Sequence, residues 1–175
     1  MTAAHDVTAV MPAQGLQRVL DRVSDGAIAI AASALFGLVV VQAWQVFTRY
    51  VLNDSPSWTE PVTLLLLSTA TSLGAAAGVH TGRHFGFYLL AEHTHAGLRR
   101  AIDALRALLM AAIGAVLAWW AGVLLVDGLD IKIAGADLPQ SINYLPLSLG
   151  GALITVFSLH RLWCALRNQP DGATH

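Results

Sequence analysis

Charge is scarce in this chain. Ten Lys and Arg with eleven Asp and Glu make up 12% of the 175 residues, where roughly 25% is usual for a soluble globular domain. With 55% of residues hydrophobic, a water-soluble fold of this length has too little polar surface to cover its apolar surface. Net charge is lacking too: the formal value of −1 supplies no basic field to neutralise phosphates, which excludes nucleic acid as a partner. The single cysteine, Cys164, excludes an internal disulfide, a cysteine-based zinc site and a dithiol relay. It reads as a small apolar filler near a helix end. Neither a phosphate loop nor a nucleophile elbow occurs, so no catalytic, cofactor-binding or metal-binding residue is expected and the chain is not read as an enzyme. No removable signal peptide is expected, because the first apolar run begins after about 27 polar or mixed residues and is too long for a signal core.

What the sequence does have is four long apolar runs, expected as membrane spans at residues 28–47, 59–79, 104–126 and 144–162. Each comes close to the roughly 20 residues a helix needs to cross about 30 Å of hydrocarbon. None has a charged residue in its middle third. In lipid every backbone group must find its partner within the segment, and the runs lack the alternation of barrel strands, so the expected fold is an all-α integral membrane bundle of four transmembrane helices forming one domain over residues 1–175. Pro61 and Pro146 follow Thr59 and Asn143. That order places a capping side chain before a first-turn proline, so both prolines start helices.

Orientation follows from the cationic residues. Arg18, Arg22, Arg83, Arg99, Arg100, Arg106, Arg161 and Arg167 fall on one side of the spans, against Arg49 and Lys132 on the other, which predicts both termini in the cytosol. Leu16, Val19, Leu20, Val23 and Ala27 recur at helical spacing opposite Arg18, Asp21, Arg22 and Asp25, predicting an amphipathic interfacial helix over 14–26. The connection 80–103, apolar from Phe85 to Leu98, is expected to hold a second surface helix on the cytosolic side. Residues 1–13 and 168–175 read as disordered tails.

Few residues invite chemistry. Glu60 opens the second span, where a helix N-terminus favours a carboxylate; the alternative is an ion pair with Arg49 across the short outer hairpin, or with a partner chain. Asp103 and Arg106 read as a weak surface pair. His80 and His160 lie at the cytosolic ends of spans and read as solvated; a pair of axial haem ligands is the alternative. His84, His93 and His95 read as surface residues, and Trp119-Trp120 as a packing pair. Gly74 and Gly78 give the second span a small-residue face that lets another helix come close, and Gly82 continues the spacing toward the cytosolic end.

The boundary motifs, taken in order, resemble a known family. Arg49-Tyr50-Val51-Leu52-Asn53 closes the first span and Trp58-Thr59-Glu60 opens the second. Leu73-Gly74-Ala75-Ala76, Gly82-Arg83-His84, Leu138-Pro139 and Tyr144-Leu145-Pro146-Leu147 follow. From about Asp21 to Leu162 this set is similar to the small membrane subunit, DctQ type, of the tripartite ATP-independent periplasmic (TRAP) transporters. Many members carry two consecutive acidic residues after the tryptophan, whereas Pro61 takes the second position here, so a role for that second carboxylate does not carry over.

The resemblance implies a multi-pass protein of the bacterial cytoplasmic (inner) membrane, working as a small scaffold subunit. Its implied partners are a large membrane subunit of DctM type, a periplasmic substrate-binding protein of DctP type, and membrane lipid. The implied activity of the assembly is sodium-coupled uptake of an organic acid, with substrate and sodium held by the large subunit and no substrate-binding residue in this chain. On that reading Arg49, Trp58, Glu60, Gly74 and Gly78 make scaffold or subunit contacts. The runner-up from another class is a haem- or quinone-binding membrane anchor of a redox complex.

Overall fold

The computed structural model describes residues 12–54, 56–81, 96–133 and 139–167. Four long helices account for most of them: α1 (Pro12–Tyr50), α2 (Thr59–Thr81), α3 (Ala96–Asp127) and α4 (Leu145–Arg167). A single turn of 3₁₀ helix, Gln140–Asn143, leads into α4. All four are long and apolar enough to cross a membrane.

The expected spans lie within these helices but for Tyr144, just ahead of α4, yet the first and third helices are longer. Residues 14–26 do not form a separate helix: α1 is unbroken for 39 residues, or about 58 Å at the usual rise. Leu20 and Ser24 on this stretch, and Ala27 just after it, are buried against the bundle, whereas Leu16, Val19 and Val23 from the same apolar stripe remain exposed. α3 begins at Ala96, taking in the end of the expected cytosolic connection. The surface helix expected over Phe85 to Leu98 falls mainly on residues outside those described, as do most of the two expected tails.

The helices form a row, not a closed bundle. α1 packs on α2, α2 on α4, and α4 on α3, leaving α1 and α3 at the two edges. α1 runs antiparallel to α2, with Gly37 against Leu66 and Gln42 Nε2 donating to Thr63 Oγ1 at 3.3 Å. α2 and α4 run in the same direction, Ser72 meeting Gly150 and His80 meeting Phe157. In water such a layer would leave two broad apolar faces uncovered; lipid removes that cost, so no fourth side needs closing.

Close approach comes from glycines of α3 and α4. A Cβ at Gly150 would lie 2.6 Å from Ser72 Cβ, and one at Gly151 would lie 2.7 Å from Ala118 N. One at Gly114 would meet Ile154 and Thr155 at 2.8 Å. These three let α4 press on α2 and α3 closely enough for dispersion contacts that lipid does not provide. Gly74, by contrast, has nothing within 4 Å of a would-be Cβ.

Both predicted caps need correction. Thr59 is itself the first residue of α2, and its hydroxyl donates back to Pro56 O at 2.8 Å. Asn143 belongs to the 3₁₀ turn, and its Oδ1 is buried without a hydrogen-bond partner. The prolines do stand in first turns, where a missing N–H costs no helical bond.

Candidate functional site

Two rims and one helix face carry the residues of interest. At the hairpin rim, α1 ends in a tight turn. Leu52 N and Asp54 N both donate to Thr48 O, at 3.2 and 3.1 Å, and Asn53 takes a φ of 53°. That left-handed conformation is open to asparagine at low cost and closed to most side chains, which gives the Arg49-to-Asn53 motif a physical reason for its last residue. Beside it, Gly128 packs on Ser141, where a Cβ would lie 3.0 Å from Ser141 N. Gln140 N donates to Ile131 O at 2.7 Å, and Lys132 bridges Pro139.

Arg49, Trp58 and Glu60 all stand exposed at this rim. Ion pairs join His80 to Asp21 and Arg106 to Asp103, whereas Arg49 and Glu60 form none with each other. Glu60 lies instead on a continuous face of α2. Residues 60, 64, 67, 71, 74 and 78 recur at helical spacing, and Glu60, Leu64, Leu67 and Thr71 are exposed while Gly74 and Gly78 are half-buried. At Gly74 a Cβ would meet nothing within 4 Å. Trp119 and Trp120, expected to pack, are 72% and 62% exposed on the edge helix α3. Among the described residues no side chain covers either ring enough to bury it.

The opposite, terminal rim holds what the sequence did not reveal. His80 Nε2 lies 2.7 Å from Asp21 Oδ1 on α1, and its ring stacks on Phe157 of α4 at 4.7 Å. Arg161 Nη1 donates to Val79 O at 2.9 Å, satisfying one of the carbonyls a helix end leaves open. His80 is therefore a junction residue and not a solvated one. Its Nε2 is already engaged, and His160 is placed near Cys164 Sγ, 3.9 Å away. Asp103 and Arg106, 3.6 Å apart and both exposed, form the weak surface pair expected. Among the described residues no group of three His, Cys, Asp or Glu side chains could hold a metal ion.

Residues 38–168 match the family model of the tripartite ATP-independent periplasmic transporters, DctQ component. The match covers three quarters of the chain. The chain belongs to this family. No curated protein matches it. As a DctQ component it is a transmembrane transport protein of the inner membrane, part of a tripartite transporter with membrane and binding-protein partners. The family is one of transporter components and not of enzymes.

Proposed function

We propose that this DctQ component is the small scaffold subunit of a TRAP-type secondary transporter. It supports a large, DctM-type membrane subunit in sodium-coupled uptake of an organic acid delivered by a DctP-type periplasmic binding protein. The observation that carries this reading is the single row of helices. Its spans are continuous through their described length, and their middle thirds hold no ionisable residue, whereas transporter substrate sites are built from broken helices and costly buried polar groups. A row of helices with many large apolar side chains exposed along it has the character of a part that widens another membrane protein. The excess of arginine at the terminal rim supports an orientation with that rim in the cytosol and the hairpin rim toward the periplasm. Arg49, Trp58, Glu60, Gly74 and Gly78 then serve as candidate subunit contacts, with Glu60 to Gly78 presenting one face to the large subunit.

The test is reconstitution. Proteoliposomes holding both membrane subunits, supplied with the binding protein and a sodium gradient, should take up substrate, and omission of this chain should abolish uptake. Sodium-driven uptake by this chain alone would overturn the proposal.

A further inference from the structure

The edge helix α1 has a single substantial helix neighbour, α2, and its length carries it past the end of that neighbour. Nothing about an antiparallel pair of apolar helices fixes how the terminal-rim end of α1 sits relative to α4. At this end, however, one imidazole touches three helices. His80, near the end of α2, donates from Nε2 to Asp21 Oδ1 of α1 at 2.7 Å and lays its ring on Phe157 of α4 at 4.7 Å with an interplanar angle of 42°. Phe157 is fully buried and the His80 side chain is 16% exposed, so the ring is held from both sides. Arg161 ties α4 to the last turn of α2 through Val79 O, one residue from His80. Leu20, next to Asp21, completes an apolar cluster with Ala76, Val79, Ile154 and Phe157.

We propose that Asp21 and His80 form a clasp that locks the terminal-rim end of α1 to the α2–α4 pair, so that three helices move as one body. Gly26 lies on α1 between the clasp and the rest of the helix, and a Cβ there would meet nothing within 4 Å. A mid-helix glycine is a weak point of its helix, so the residues before it form an arm that Leu20 docks on the bundle and the clasp holds in one orientation. The clasp depends on its partners being opposite in character, one an anion and one a ring donor, and its geometry is set by Phe157 from behind.

The experiment measures distances between spin labels at Leu16 and Leu166, both exposed, in a Cys164→Ala background of the full chain copurified with its large membrane subunit. The parent should give one narrow distance population. Asp21→Ala, which alters only an exposed side chain, and His80→Leu should each lose it for a broad distribution. The double variant should be no broader than the worse single one, because either change opens the same clasp. Parent-like width in both single variants, or broadening that adds in the double, would overturn the proposal. Copurification with the large subunit is scored separately: its loss in the parent counts against the scaffold reading, while its retention with broadened distances supports the clasp.

Discussion

Gly150 stands directly on Ser72. A Cβ on Gly150 would lie 2.6 Å from Ser72 Cβ and 2.9 Å from the Ser72 carbonyl, while Ser72 Oγ lies 2.9 Å from Pro146 O, one turn earlier on α4. The same Oγ is 2.6 Å from Ser68 O, so the hydroxyl keeps an acceptor on its own helix. Gly150→Val should therefore force α2 and α4 apart and destabilise the chain by about 1–3 kcal/mol. Ser72→Ala, which removes only a shared hydrogen bond, should cost about 0.6 kcal/mol. Thermal unfolding in detergent separates the two.

The two glycine classes make a sharper comparison. Gly150→Ala must shift backbone or Ser72, whereas Gly74→Ala enters open space and gains helix propensity of up to about 1 kcal/mol. The isolated chain should lose melting temperature in the first variant and hold or raise it in the second. If the large subunit packs a helix on the α2 face, Gly74→Ala should weaken the complex while leaving the chain intact, which size-exclusion chromatography of both samples would report.

Arg49 and Glu60 are exposed and unpaired with each other, so Arg49→Leu and Glu60→Gln should act independently in the isolated chain. Their effects on stability should add within about 0.3–0.5 kcal/mol. A double-mutant cycle on melting temperature measures this directly, and a larger coupling would place the two side chains in contact.

Asn53 gives a backbone prediction. Its φ of 53° should make Asn53→Val cost about 1–2 kcal/mol, the penalty of a left-handed residue with a branched Cβ, while Asn53→Gly should be tolerated. Unfolding of the two variants side by side checks the sign.

Four apolar helices were legible because membrane crossing imposes length and removes charge, and both signals are local. The start of α2 at Thr59 could be read for the same reason, with Pro61 marking its first turn. What could not be read is lateral order. Any of the four helices can neighbour any other on composition alone, and the row α1–α2–α4–α3 is decided by shape at Gly150, Gly151 and Gly114, which no periodicity distinguishes from Gly74. A Cβ at Gly74 would meet nothing within 4 Å, although its spacing in the sequence is as regular as theirs. Asp21 and His80 are separated by 59 residues, and each on its own resembles an ordinary polar residue at a span end. Only the antiparallel pairing of α1 with α2, with α1 continuing as one unbroken helix, brings them together.

The central claim, that this chain is a scaffold part of a larger membrane assembly, is tested most directly by co-expressing it, tagged, with the large membrane subunit and purifying in mild detergent. The account predicts a stoichiometric complex without haem absorbance. A chain that purifies alone, that carries haem, or that assembles only with itself would contradict it.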